Sequence, residues 1–252
     1  MKKETLLLID VSNSFTKIAT ARNGVIGRVT KIPTAEVSAE SFTMSKGKGK
    51  ADRAVISSVV PEIDNHLSRS LSCPTLWVDY RVPFGVRINY PKPSSIGADR
   101  LANAAAAVEE GRLPAIVVDF GTAVTFDVID WEGCYLGGII APGLPTAASA
   151  LHERTALLPM TRITGITSSV GKSTEEAIRI GLLLGAVGLV REAVARIRKE
   201  VFGGKKPCVI ATGGDSELVG KLALQDGGKP VFDHIDPLLT LRGLLVIGGK
   251  NS

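Results

Sequence analysis

Three short segments of this chain combine residue types and spacing suited to holding phosphate. The first is Asp10-Val11-Ser12-Asn13-Ser14, with Lys17 three residues further on; the second is Asp119-Phe120-Gly121-Thr122. A carboxylate at the end of a strand can orient a metal ion beside bound phosphates, while the amides and hydroxyls of the following turn face phosphate oxygens. Asp and Gly also close strands that bind nothing, so one such turn says little. Two, each opening one half of the chain, point to a duplicated phosphate-binding unit. The third segment, Ala211-Thr212-Gly213-Gly214, is a strand running into two glycines before a helix. Backbone without side chains can there approach a flat ring such as adenine.

The elements that must position these residues are legible around them. Residues 5–32 read as three strands, TLLLIDV, FTKIAT and VIGRVTKI, separated by the turn-forming stretches SNS and RNG. A helix is expected around 36–44, then a basic loop with Lys46, Lys48 and Lys50, a strand RAVISSVV and a helix opening at Pro61. The alanine-rich GADRLANAAAAVEEG is a strong helix signal with glycine at both ends. AIVVDF, AVTFDVI and CYLGGII then repeat the opening pattern, with Glu132 and Gly133 in the second hairpin turn. The two halves read as copies of one unit, split near residues 111–114. From Thr174 to about Val201 the apolar residues cover a broad helical stripe, and a strand PCVIAT, a helix from Asp215 and a helix begun by Asp236 and Pro237 complete the chain.

Composition narrows the class. At 252 residues with 44% hydrophobic and 22% charged residues, the chain can bury one large core or two modest ones and has no room for a long disordered region. The excess of 30 Lys and Arg over 25 Asp and Glu can attract nucleic acid, an anionic membrane or small anionic ligands and compels none of them, and the glycine-lysine run at 45–50 has no aromatic residue for stacking on bases. Neither nucleic acid nor a membrane is expected as a partner. Cys73, Cys134 and Cys208 form no CxxC pair, and His66, His152 and His234 lie far apart, so neither a disulfide framework nor a zinc site is expected. The run LLLI near the start is broken by Asp10 and too short for a signal core or a membrane span, which gives a cytoplasmic reading.

In their order, the three segments resemble the phosphate-1, phosphate-2 and adenosine motifs of the actin and sugar kinase superfamily, whose two duplicated domains clamp a nucleotide in the cleft between them. Within it the chain resembles the type III pantothenate kinases through DVSNSFTK, ISSVVP, YPKPSSIGADRLANA, VVDFGTAVTFDV, GGIIAPGL, ERTALLP, GKSTEEAI, ATGG and HIDPLLTLRGL. The resemblance implies an α/β fold of two duplicated ribonuclease H-like domains with mixed sheets, 1–112 and 113–252. It also implies phosphorylation of pantothenate by ATP, the first step of coenzyme A synthesis, with magnesium, a potassium or ammonium ion and a homodimeric assembly.

Carried over by position, Asp99 resembles the general base that takes the proton from the pantothenate hydroxyl, and a carboxylate in the first turn of a helix is favoured by the helix dipole. Tyr90, Gly97, Ala98, Arg100 and Thr174 match the pantothenate pocket. The alternatives are a packed aromatic for Tyr90 and a helix cap for Thr174. Asp10, Val11, Ser12, Asn13, Ser14, Phe15, Thr16 and Lys17, with Thr122, Gly213 and Gly214, match the ATP site. Asp119 resembles the ligand of the monovalent cation, and Asp10 a residue that positions magnesium-ATP directly or through water.

Two departures stand out. The family has Gly-Asn-Thr after its first aspartate where this chain has Ser12-Asn13-Ser14, and Val124 replaces a threonine. Ser12 adds a Cβ near the phosphates and disfavours a positive φ if the turn needs one, so altered ATP binding is expected. The alternatives are a non-catalytic regulator of the same fold, of the kind described as accessory transcription factors, and a kinase or phosphatase acting on a sugar or polyphosphate. The GADR helix start disfavours the last.

Overall fold

The apolar run that ends at Asp10 forms strand β1 (Thr5–Val11), and it is buried almost throughout because strands flank it on both sides. The computed structural model describes residues 4–37, 51–225 and 230–252. Lys46, Lys48 and Lys50 lie outside the described residues, as does nearly all of the helix expected at 36–44. The described start of that segment is a single 3-10 turn, Thr34–Glu36.

Strands β2 (Phe15–Arg22) and β3 (Val25–Pro33) form the expected meander, with β4 (Arg53–Ser58) and β5 (Thr75–Trp77) on the other side in the order β3-β2-β1-β4-β5. β1 pairs antiparallel with β2 and parallel with β4, which sets Asp10 beside Lys17 on one flank and Ser57 on the other. Helix α1 (Pro61–Ser70) begins with proline, which fits a first turn whose N–H groups have no helical partner. A two-residue strand β6 (Arg87–Ile88) precedes helix α2 (Ala98–Glu109), in which Leu101 and the alanines from Ala102 to Ala107 are buried.

The second set of elements repeats this plan. Strands β7 (Ala115–Phe120), β8 (Ala123–Ile129) and β9 (Cys134–Pro142) lead to a helix, α3 (Leu144–Arg154), then α4 (Thr174–Glu200), β10 (Cys208–Gly213), α5 (Ser216–Gln225), a short β11 (His234–Ile235) and α6 (Leu239–Lys250). β7 pairs antiparallel with β8 and parallel with β10, as β1 does with β2 and β4. Ile116, Val118 and Phe120 of β7 and Val124, Phe126 and Val128 of β8 share one core with Leu183, Val187 and Val190 of α4. The period of two along the strands places Asp119 on the opposite face of the sheet.

The chain divides into two compact units. One holds the residues up to Arg112 with Gly133–Tyr135 and Leu238–Ser252; the other holds Leu113–Glu132 and Leu136–Pro237. Within the first, α6 packs on α2, where the buried Thr240 hydroxyl donates to Asn103 Oδ1 at 3.0 Å. Gly133–Tyr135 bring the first residues of β9 into that unit, where Cys134 and Tyr135 pair in parallel with β6. Among the described residues no helix is long and apolar enough to cross a membrane.

Candidate active site

In the first unit, the turn after β1 is braced from below by Thr34. Its hydroxyl donates to the Ser12 carbonyl at 2.7 Å, and its N–H donates to the Ser14 carbonyl at 3.0 Å. Thr34 Oγ1 also meets Thr16 Oγ1 at 3.1 Å in a buried pair. Asp10, Val11 and Thr16 are buried, Ser12 and Lys17 are half-buried, and Asn13, Ser14 and Phe15 are exposed. Lys31 Nζ lies 3.9 Å from the centre of the Phe15 ring. Among the described residues the non-glycine position with positive φ is Asn23, at 53°, so the Ser12 turn is built without left-handed backbone. Backbone strain is therefore no objection to serine at this position.

The end of β4 joins that turn to helix α2. Val59 N–H donates to the Val11 carbonyl at 3.1 Å, and Val59 Cγ1 is 3.6 Å from the point where a Cβ on Gly97 would stand. Gly97 is the N-cap of α2 and offers no side-chain cap. Asp99 supplies what is missing: its Oδ1 accepts the Arg100 N–H at 2.8 Å, satisfying one of the unpaired donors of the first turn. The same oxygen lies 2.5 Å from the Cβ position of residue 97, so only glycine leaves the carboxylate its place.

Against Gly97 and Ala98 opens a cavity of about 570 Å³, walled also by Ser58, Val59, Val78, Asp79–Arg81 and Ser94–Ile96. The Arg81 guanidinium is hydrogen-bonded to Asp79, with Nε to Oδ2 at 2.9 Å, and this bond holds the Asp79 carboxyl below the usual carboxylate range. Tyr90 and Arg100 do not line the cavity; they meet on a third residue, Tyr135. The Tyr90 and Tyr135 rings are edge to face at 6.2 Å, and Arg100 Cζ is 5.8 Å from the Tyr135 ring centre.

In the second unit, Gly143 closes on the Asp119-Phe120-Gly121-Thr122 turn. Its N–H donates to the Thr122 carbonyl at 2.9 Å, and Thr146 Oγ1 donates to the same oxygen at 2.6 Å. Asp119 and Thr122 are half-buried. β10 brings Thr212 level with Asp119 and Gly213 level with Phe120. Gly213 has φ +89°, and a Cβ there would stand 2.5 Å from Asp119 Oδ1, so the Gly-Gly strand end is also what makes room for the carboxylate. Gly214 follows, exposed, and the buried Ser216 hydroxyl donates to the Gly213 carbonyl at 2.8 Å.

Thr174 is the exposed first residue of α4, and the cap is its neighbour: Ser173 Oγ accepts the Glu176 N–H at 3.2 Å while Glu176 Oε2 accepts the Lys172 N–H at 2.8 Å. The capping reading of Thr174 is thereby corrected, and its hydroxyl is not spent on the helix end.

The two turns share a feature that motif reading misses. The residue in register with Asp10 on the parallel strand is Ser57, and the one in register with Asp119 is Thr212. Both are fully buried, and neither hydroxyl makes a hydrogen bond. A buried hydroxyl left so costs about 1–3 kcal/mol, a cost that a bound ion or phosphate oxygen would offset.

Two units of one design, each with a carboxylate near the end of its first strand and a tight turn after it, define the class: the fold of the actin and sugar kinase superfamily. An inorganic polyphosphate/ATP-glucomannokinase from an Arthrobacter species superimposes with a TM-score of 0.52 at 14% identity, over 98% of this chain and 99% of that one. A protein described as a Baf family transcriptional activator from Campylobacter jejuni gives 0.62 at 21% identity, over 97% and 98%. The sequence profile of the type III pantothenate kinases matches residues 6–196. A type III pantothenate kinase of Methylacidiphilum infernorum is 41% identical over 243 residues, 96% of this chain and 88% of the relative. The chain belongs to the type III pantothenate kinase family.

Proposed function

We propose that this chain transfers the γ-phosphoryl group of ATP to the primary hydroxyl of pantothenate, giving 4'-phosphopantothenate for coenzyme A synthesis. The observation that carries the reading is Asp99: in a chain of this family, its carboxylate is fixed at the N-terminus of α2 by the Arg100 amide, next to a cavity large enough for a small molecule. As the substrate oxygen bonds to phosphorus, its proton passes to Asp99 and ADP leaves with the β-γ bridging oxygen. Gly97, Ala98, Tyr90, Arg100 and Thr174 are read as the substrate's contacts.

The ATP phosphates are read as the partners of the turn from Asp10 to Lys17 and of Thr122, and adenosine as the partner of Gly213 and Gly214. Magnesium would be held at Asp10, directly or through water, with the Ser57 hydroxyl beside it, and a potassium or ammonium ion at Asp119 with Thr212. Both donor sets are oxygen alone, as hard cations require. These ions supply neutralisation of phosphate charge. Among the described residues no three His, Cys, Asp or Glu side chains converge, so most of each coordination shell would come from ATP, water and backbone.

The assembly is read as a homodimer formed through α4, on which Gly181, Leu184, Gly185 and Gly188 are exposed on one face. Three cysteines without disulfides suit a cytoplasmic protein. The test is ADP release coupled to a colour reaction, with and without pantothenate and with potassium or sodium as the counter-ion. Release that requires pantothenate supports the reading; release that ignores it, or none at all, overturns it.

A further inference from the structure

Tyr135 belongs to none of the phosphate or substrate motifs. It is the second residue of β9, it is fully buried, and it is among the largest fully buried side chains of the chain. Its carbonyl accepts the Asn89 N–H at 2.9 Å, and β6 sets Ile88 level with it, so its backbone is tied to the segment that carries Tyr90. Its ring is touched by both Tyr90 and Arg100, which reach it from segments ten residues apart: an edge-to-face contact at 6.2 Å from one, and a guanidinium 5.8 Å from the ring centre from the other.

Both of those side chains need such a support. Tyr90 is 36% exposed and lies outside the regular elements. Arg100 is half-buried on the first turn of α2, next to Asp99. A long cationic side chain loses much rotamer freedom on being ordered, and an aromatic face nearby orients a guanidinium through its flat face, without taking its N–H donors for itself. A ring buried under two partially exposed polar residues cannot reach a ligand itself.

We propose that Tyr135 is a positioning residue for the acceptor substrate: its ring sets the Tyr90 hydroxyl and the Arg100 guanidinium in the relation that binds pantothenate, without touching pantothenate. The proposal rests on the reading of Tyr90 and Arg100 as substrate contacts. The pairing of Cys134 and Tyr135 with β6 keeps this ring in the same unit as Tyr90 and Arg100. The chain of effects runs from a buried ring to two surface side chains to substrate affinity, so it acts on pantothenate and not on ATP.

The experiment compares Tyr135→Met, Tyr135→Leu, Tyr135→Phe and Arg100→Ala by steady-state kinetics, varying pantothenate and ATP separately, with circular dichroism melts to confirm folding. Met refills most of the ring volume with a flexible chain but lacks the aromatic face and the hydroxyl, and Tyr135→Phe separates those two losses; Leu is a second aliphatic variant should Met not fold. The expected result is a KM for pantothenate raised about tenfold in the aliphatic variants, the scale of losing one cation–π contact and its alignment, with KM for ATP unchanged. Tyr135→Phe keeps the ring and should stay near wild type.

A wild-type KM for pantothenate in Tyr135→Met or Tyr135→Leu, or an equal rise in KM for ATP, overturns the proposal while Arg100→Ala still raises KM for pantothenate. A Phe variant as impaired as the aliphatic ones overturns it too, because the ring is then not the active element. If Arg100→Ala itself leaves KM for pantothenate unchanged, the assignment of Arg100 to the substrate has failed, and the proposal with it.

Discussion

The Asp99 carboxylate and Gly97 are matched by distance: Oδ1 stands 2.5 Å from where a Cβ at residue 97 would be, while it accepts the Arg100 N–H at 2.8 Å. The glycine of GADR is thus a condition for the orientation of the aspartate two residues later. Its own φ of −60° is ordinary, so the requirement is space and not backbone freedom. Gly97→Ala should turn the carboxylate away and break its bond to the helix amide. Stability should fall by only about 1 kcal/mol, the scale of one lost helix cap, whereas kcat should fall about 10- to 100-fold, as for a reacting group misplaced by an ångström. A melting curve and a turnover measurement on one preparation check both; undiminished kcat would show that the orientation seen here is not the working one.

Asp99→Asn should keep the fold and ATP binding but lower kcat by about 10² to 10⁴, the usual contribution of a positioned general base. Nucleotide binding measured by calorimetry on the same variant separates a lost base from a lost site. Near-normal turnover would take Asp99 out of the role.

Much of the frame that carries these residues is legible in the sequence, because period and punctuation state it directly. Residues 5–11, 15–22 and 25–33 form the meander that SNS and RNG punctuate, and the alanine-rich helix starts and ends at its glycines. The helix Leu144–Arg154 carries no such sign, since only Leu144 and Ala148 of it are buried and no stripe repeats. β5, β6 and β11, of two or three residues, are too short for alternation to register. In the site, the motifs locate the carboxylates and glycines, but not what stands beside them. Ser57, Thr212, Tyr135 and the cavity wall at Asp79–Arg81 are brought beside the motif residues by strand register and by packing between distant segments, which no local pattern encodes.

Thr212→Val tests whether the buried hydroxyl level with Asp119 serves a cation. If the hydroxyl serves nothing, removing an unbonded buried polar group should leave the protein as stable or more so by up to about 1–3 kcal/mol, with no other effect. If it helps hold potassium, melting in sodium should again be unchanged or higher, but the extra stability gained on replacing sodium by potassium should shrink, and activity should need more potassium. Asp119→Ala should abolish that gain and most of the activity. A full potassium response in Thr212→Val would release Thr212 from the site.

The exposed face of α4 should pair two copies of the chain. Nothing stands within 4 Å of a Cβ at Gly181, Gly185 or Gly188, and Leu184 between them is 40% exposed. Wild-type protein at micromolar concentration should scatter light as a dimer. Gly185→Glu, which the protomer itself has room for, should give the monomer mass through like-charge repulsion and buried charge at the pairing face. A monomeric wild type, or a variant that stays dimeric, would remove this face from the assembly.

Ser12→Gly tests the departure from the glycine expected at the first turn, and the backbone there gives the outcome a sign. Were Ser12 held at positive φ, glycine would relieve strain and tighten ATP binding; but Asn23 is the non-glycine residue with positive φ among those described. The turn is instead fixed by bonds that no side chain at position 12 provides. Ser12 N–H donates to the Phe15 carbonyl at 3.2 Å, and Thr34 Oγ1 donates to the Ser12 carbonyl at 2.7 Å. Glycine would keep those bonds and add freedom to the unfolded chain, costing about 0.5–1 kcal/mol of stability, or about 2 °C in melting temperature for a chain of this size. The half-buried hydroxyl is the remaining difference. As a phosphate or metal-water partner it contributes about 0.5–1.5 kcal/mol, so KM for ATP should rise between two- and tenfold in the variant. A lower KM would mean that the serine crowds the phosphates after all, and an unchanged one, alongside the small loss in melting temperature, would place position 12 outside the nucleotide's contacts.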